Sequence, residues 1–465
     1  MRLEYTVSLR EFKQRAFNVK MICFPHKARA GRLVLPFIGH PFLRVETMML
    51  THGPAAEPIE AIENGLTLTL SPGDELTLTY RVVTPFTECM GADRESEVIF
   101  PFISDYEAFF GTGMLAYFEP LQELETDMAI SFEAVDLPSG WRPITSMTTG
   151  GAHPAKLDGF FWYACRSPQP QETTIRSENG DISFRVLTQK TKNFIPVQIP
   201  GFADQLADVA LIALAKRWLN WLEKYLAPYS GLRDIETLIL RAPDDFSRLT
   251  NGRGFATGEN VMNGIVAYAP DSADHAARYG YKDYGTFLAS GLLHEIMHSY
   301  TTMIWQGRYK SVLYPAPQCP RDHQRLLGEA LNLYFSDQFL YWLTDRPGEH
   351  PGPFLLSHTF REQIRARAAA TKRDQLVDLF LFDYGLRLKG SSLMTLFGAM
   401  IKSKQAEQPR VPYRSAEFML EIMRDVLHIH APELEPLITG SNTPDYARLL
   451  PPALASSAQL SDRKE

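Results

Sequence analysis

The sequence predicts a multi-domain α+β protein: an N-terminal antiparallel β-sandwich-like domain over residues 1–195, a mainly helical domain over 196–450, and a flexible tail over 451–465. Three observations carry this reading. A chain of 465 residues exceeds what one hydrophobic core ordinarily serves, so more than one domain is expected. Up to about residue 190 apolar side chains recur at every second position between turn formers, the pattern of antiparallel strands with one buried face. Beyond residue 200 they recur mainly at helical spacing.

Each element follows from its own residues. Leu66, Leu68 and Leu70 alternate with threonines, Ser71-Pro72-Gly73-Asp74 supplies turn formers, and Leu76, Leu78 and Tyr80 alternate again, which predicts a hairpin. Met128, Ile130, Phe132 and Ala134, then Ile182, Phe184 and Val186, repeat the alternation and predict further strands of a sandwich. The texture changes near Phe194–Gly201, which marks the domain boundary. From Asp204 to Leu226, Leu206, Val209, Leu214, Trp218 and Leu222 follow helical spacing. Ile235–Leu240 is nearly continuous in apolar content, as suits a strand covered on both faces. Helices are then expected over 286–305, 324–343, 374–402 and 415–428, with a Pro/Gly loop at Asp345–Pro353 between the second and third.

Composition excludes several classes of function. The net charge is −7 and no long basic run occurs, so a nucleic-acid partner lacks its electrostatic footprint. No apolar stretch approaches the roughly 18–20 residues of a spanning helix, so no membrane partner is expected. The start, Met1 to Ser8, carries an acid and strand-like alternation where a secretory leader would be uninterruptedly apolar, and a cytoplasmic location is expected. Cys23, Cys89, Cys165 and Cys319 are scattered, which suggests structural thiols and neither a disulfide framework nor a thiolate zinc site.

The segment that carries chemistry is His294-Glu295-Ile296-Met297-His298. In a helix, residues four apart share a face, so both imidazoles can converge on one metal ion, zinc being the expected one, and Glu295 can reach a metal-bound water as general base. Such a site needs a further carboxylate. Glu329 lies in the apolar run Leu326–Phe335, where an isolated carboxylate would be costly unless paired or metal-bound. His428 and His430 would share a face only in a strand, and Cys319 with His323 makes a poor second site in a proline-rich loop. Asn251–Phe255 lacks the Lys and Ser/Thr of a phosphate loop, and the Leu/Phe stripe at 376–401 reads as helix core.

These residues resemble the glycyl aminopeptidase family, gluzincin zinc metallopeptidases that commonly carry a PDZ domain. The family pattern H-E-x-x-H followed by W-x-x-E-G-x-T-x-Y-Y is mirrored by His294–His298 and by Leu326–Phe335. The resemblance implies a thermolysin-like catalytic domain, Glu329 as the third ligand of one zinc per chain, and hydrolysis of N-terminal residues from peptides. Ala256–Val261 is similar to an upstream G-x-E-H-like element, which implies that Glu259 and Asn260 bind the substrate's amino end; Asn260 stands where the family has histidine. Asp105–Gly113, Pro138–Trp141 and Ser167-Pro168 resemble landmarks of the family's β domain.

The departures are informative too. The segment between His298 and Glu329 is longer than the family's, and Ala330 replaces a glycine. Of the family's Y-x-K-G element, Lys389 and Gly390 are present but Arg387 occupies the tyrosine position, so the oxyanion donor is expected to be Tyr384, one turn earlier, or Arg387 itself. No PDZ domain is expected after the helices. A catalytically weak or inactive gluzincin-fold binding protein, and a zinc hydrolase of a small-molecule amide or ester, are the alternatives these residues leave open.

Overall fold

The structure is a computed structural model that describes residues 2–34, 43–53, 55–59, 66–87, 101–105, 107–111, 115–120, 129–145, 153–154, 161–166, 171–179, 183–188, 207–230, 234–241, 257–259, 263–268, 284–305, 323–346, 357–369, 373–406 and 415–439. The first half is built from three sheets. A seven-stranded sheet runs in the order His153–Pro154, Ala129–Val135, Arg2–Ser8, Ala16–Phe24, Leu76–Val83, Arg44–His52, Ala55–Pro58. Its neighbours pair antiparallel except Arg2–Ser8 with Ala129–Val135, which are parallel. Three strands, Tyr117–Pro120, Arg29–Val34 and Leu66–Leu70, form a second sheet; Arg142–Thr145, Phe161–Cys165, Glu107–Gly111 and Phe102–Ile103 form a third.

The two-residue period of a strand decides which side chains enter the core. Leu3, Tyr5 and Val7 are buried from one strand, and Leu76, Leu78, Tyr80 and Val82 from another. They share a core with Leu33, Leu70 and Phe118 of the second sheet and Ala108, Trp162 and Ala164 of the third. The expected hairpin is corrected here. The turn forms, with the Asp74 N–H donating to the Ser71 carbonyl at 3.0 Å and Gly73 at φ +89°, a left-handed value that suits glycine. Its two strands then part: Leu66–Leu70 pairs with Arg29–Val34, whereas Leu76–Val83 lies between Ala16–Phe24 and Arg44–His52. A turn sequence fixes the reversal of the chain, not the partner of each strand.

A fourth sheet, in the order Gln171–Arg176, Ser183–Thr188, Asp234–Arg241, Asn263–Tyr268, Thr257–Glu259, positions the candidate site. Residues 171–188, read from the sequence as the end of the first half, pair here with strands of the second, so this sheet spans residue 195. The physical reason is the parallel pairing of Ser183–Thr188 with Asp234–Arg241, which needs a crossover. Helix α1 (Ala207–Tyr225), followed by a single turn α2 (Ala227–Ser230), supplies it.

Among the described residues the remaining α-helices are α3 (Tyr284–Trp305), α4 (His323–Asp345), α5 (His358–Ala368), α6 (Gln375–Leu388), α7 (Leu393–Ala406), α8 (Ser415–Glu421) and α9 (Glu435–Thr439). They bury one continuous core, in which Trp218 and Trp221 of α1 meet Phe339 of α4 and Leu292, Leu293, Ile296 and Met297 of α3 are enclosed. The single helix expected over 374–402 is two. Gly390, at φ +80°, closes α6, its N–H donating to the Arg387 carbonyl at 3.0 Å, and the Ser392 hydroxyl accepts from the Thr395 N–H at 3.1 Å to open α7. The helix expected over 415–428 is α8 continued by a π-turn at Ile422–Val426. No helix among the described residues is long and apolar enough to cross a membrane.

Candidate metal centre

His294, Glu295 and His298 all lie on α3. This helix forms because apolar residues occupy nearly every side of it: Phe287, Ala289, Leu292, Leu293, Ile296, Met297 and Tyr300 are buried, as a helix enclosed by other elements requires. His294 is itself buried, at 8% exposure, one turn after Ser290. The Ser290 hydroxyl donates to Asp337 Oδ1 of α4 at 2.6 Å, a buried bond that joins α3 to the helix carrying Glu329. The side chains of Glu295, His298 and Glu329 lie outside the described residues; among the described ones no group of three metal-ligating side chains comes together. The donor set implied, two imidazoles and one carboxylate, has the chemistry of a catalytic zinc site.

Beside α3 stands the edge of the fourth sheet. Thr257–Glu259 pairs antiparallel with Asn263–Tyr268, with Glu259 opposite Ile265, and both strands pack against α3. Glu259 therefore ends the strand next to the helix that bears the H-E-x-x-H motif; Asn260 lies outside the described residues.

The two candidates for oxyanion donor differ in their surroundings. Tyr384 is half-buried on α6 against the helical core, and no hydrogen bond among the described residues uses its hydroxyl. Arg387 is engaged: its Nε and Nη2 donate to Asp383 Oδ2 at 3.0 and 2.9 Å. Burial works against the guanidinium charge, but Asp383 outweighs it and holds Arg387 above its ordinary pKa. Asp383 also accepts from the Tyr334 hydroxyl at 2.7 Å and from the Leu393 N–H at 2.7 Å, so one carboxylate ties α4, α6 and α7 together. Burial, reinforced by the Asp383 charge, pushes the Tyr334 hydroxyl well above the usual tyrosine pKa.

Ser290, Asn332, Tyr334, Asp337 and Asp383 were not singled out from the sequence. The available signals were polar residues within apolar helices and the four-residue spacing of Asp383 and Arg387.

No family model and no curated protein matches the chain. Solved structures do. A variant of the M1 zinc metallopeptidase of Deinococcus radiodurans matches 96% of this chain and 95% of its own, with 12% identity and a TM-score of 0.51. An aminopeptidase N family protein from Idiomarina loihiensis matches 94% of this chain and 70% of its own, with 12% identity and a TM-score of 0.49. Yeast LTA4 hydrolase, in complex with bestatin, matches 95% of this chain and 66% of its own, with 9% identity and a TM-score of 0.41. At such identities a likeness is one of fold, and the fold this chain shares with the Deinococcus protein is that of an M1 zinc metallopeptidase.

Proposed function

We propose that the chain is a zinc metallopeptidase, an aminopeptidase of glycyl aminopeptidase type that removes N-terminal residues from peptides. His294, His298 and Glu329 would hold one zinc ion per chain, with Glu295 as general base. The observation that carries this reading is the Ser290–Asp337 hydrogen bond. His298 lies eight residues after Ser290, and Glu329 lies eight residues before Asp337. With α3 and α4 taken as antiparallel neighbours, both offsets lead about 12 Å from the bonded pair in one direction, which supports a reading in which positions 298 and 329 stand at one level of the helix pair. His294 stands one turn from the same bond. The shared fold with an M1 zinc metallopeptidase supports the reading.

Bound there, zinc would supply Lewis acidity and bring the pKa of a water down to about 7. The chain's own residues do the rest. Glu295 accepts the proton of the attacking water on its carboxylate and passes it to the leaving amine nitrogen. Glu259, with Asn260 beside it, receives the substrate's ammonium in charge-assisted hydrogen bonds, which favours exopeptidase over internal cleavage. Tyr384 donates its hydroxyl to the developing oxyanion, a contribution of about 10²–10³ in kcat. Arg387 is the weaker candidate because Asp383 already takes its Nε and Nη2.

The test is Glu295→Gln, with metal content and cleavage of aminoacyl reporter peptides measured together. Zinc is expected to be retained while hydrolysis falls by about 10²–10⁴-fold. Unchanged hydrolysis removes Glu295 as the base, and a parent protein that takes up no zinc overturns the reading altogether. Zinc without turnover on any peptide, amide or ester favours the binding-protein alternative.

A further inference from the structure

We propose that Asn332 is a positioning residue that holds the Glu329 carboxylate in its metal-binding orientation; the inference rests on the zinc reading above. Between residues 332 and 338, α4 buries five side chains with polar atoms: Asn332, Tyr334, Ser336, Asp337 and Gln338. Tyr334 donates to Asp383 at 2.7 Å, Ser336 to the Leu333 carbonyl at 3.2 Å, and Asp337 accepts from Ser290 at 2.6 Å. Gln338 reaches Tyr334 through its side chain, although its Oε1 meets no partner. Asn332 is different. It is 0% exposed, and among the described residues neither its Oδ1 nor its Nδ2 meets a hydrogen-bond partner.

Enclosing an amide without its bonds costs about 1–3 kcal/mol, and native structures seldom carry such a group without a use. Its place gives the use. Asn332 lies three residues beyond Glu329, and a helical side chain leans toward the helix N-terminus, so the amide is carried back over the turn that bears Glu329. A carboxylate that gives one oxygen to a metal needs a donor for the other, and that second contact fixes its orientation. The Nδ2 of an asparagine is such a donor and adds no charge that would compete for the ion.

The test compares zinc affinity, by competition with a chromophoric chelator, with the thermal stability of the metal-free protein. Asn332→Leu keeps the approximate shape and removes both polar atoms. The expected result is a zinc Kd raised by about 10–100-fold, together with a metal-free protein that melts no lower than the metal-free parent. Asn332→Ala covers the case in which leucine does not fold, with the same loss of affinity expected. Zinc affinity equal to the parent's in whichever variant folds overturns the proposal. A parent that binds no zinc refutes instead the reading on which it rests, so the two failures are told apart.

Discussion

The two halves of the molecule satisfy their buried polar groups differently. In the β half a buried hydroxyl finds the backbone: Tyr5 donates to the Ala116 carbonyl at 2.7 Å, the Ala116 N–H donates to the Tyr80 hydroxyl at 2.8 Å, and Thr84 donates to the Pro101 carbonyl at 2.6 Å. In the helical half buried polar side chains find one another, as in Ser290–Asp337, Tyr334–Asp383 and Arg387–Asp383. Within a helix the interior backbone groups are already used, so a buried polar side chain there turns to another side chain or to a group near a helix end, as Asp383 does to the Leu393 N–H; Ser336, which shares the Leu333 carbonyl, is the exception. Among the described residues Trp218 Nε1, Trp342 Nε1, Arg361 Nε, Ser391 Oγ, Gln338 Oε1 and both amide atoms of Asn332 meet no partner, and these belong to the helical half. That half holds polar groups at a cost to its stability, which is where a site is expected.

The sharpest way to break this comparison is Asp383→Ala. Its carboxylate receives Tyr334, Arg387 and the Leu393 N–H, so its loss strands a guanidinium and a hydroxyl between helices, and about 3–5 kcal/mol of stability should go. Denaturant unfolding measures it; a loss below about 1 kcal/mol would mean that the side-chain network does not hold the helical half together. In the β half the matching change is Tyr80→Phe, which leaves the Ala116 N–H without its acceptor and should cost about 1–3 kcal/mol.

Alkaline pH tests both halves at once. Burial raises the Tyr80 hydroxyl far above the usual tyrosine value, against the opposing effect of the Ala116 hydrogen bond, and burial with the Asp383 charge raises Tyr334. Above about pH 10 the unfolded chain releases these protons while the folded chain keeps them, so stability must fall as pH rises. Unfolding free energies measured from about pH 8 to about pH 11 should show this decline, less steep in Tyr80→Phe and in Tyr334→Phe.

What could be read in the sequence follows the same division. The alternation of Leu76, Leu78, Tyr80 and Val82 is legible because burial repeats with the strand period, but their partner strands begin at Ala16 and Arg44, and no local pattern names them. The two helices that carry His294–His298 and Glu329 are legible to within two residues because apolar residues recur along their whole length. The break at Gly390 is hidden by the apolar stripe on either side of it. Gly390 closes a helix in left-handed geometry, so Gly390→Ala should cost about 1 kcal/mol. The H-E-x-x-H residues announce themselves, but Ser290 and Asp337 are ordinary in their own helices and gain meaning only from the bond between them.

The smallest expected effect asks whether bonding pattern or burial separates the two halves. Asp345, half-buried at the end of α4, accepts from the Ser357 hydroxyl at 2.7 Å, from the Thr359 N–H at 3.0 Å and from the Thr359 hydroxyl, and so fastens the start of α5. Burial opposes its charge, but the bonds from Thr359 and Ser357 outweigh it and hold the carboxyl below its ordinary pKa. A lowered pKa stabilises the fold fully above the unfolded value near 4 and ceases to do so as pH falls through the folded value. Asp345→Asn should therefore be less stable than the parent at neutral pH by under about 1 kcal/mol, because solvent screens the site, with the difference gone near pH 2. Denaturant midpoints at the two pH values decide it. A deficit as large as that of Asp383→Ala would show that the side-chain joint itself, wherever it lies, holds these helices; a small one assigns the strength of the Asp383 joint to its enclosure.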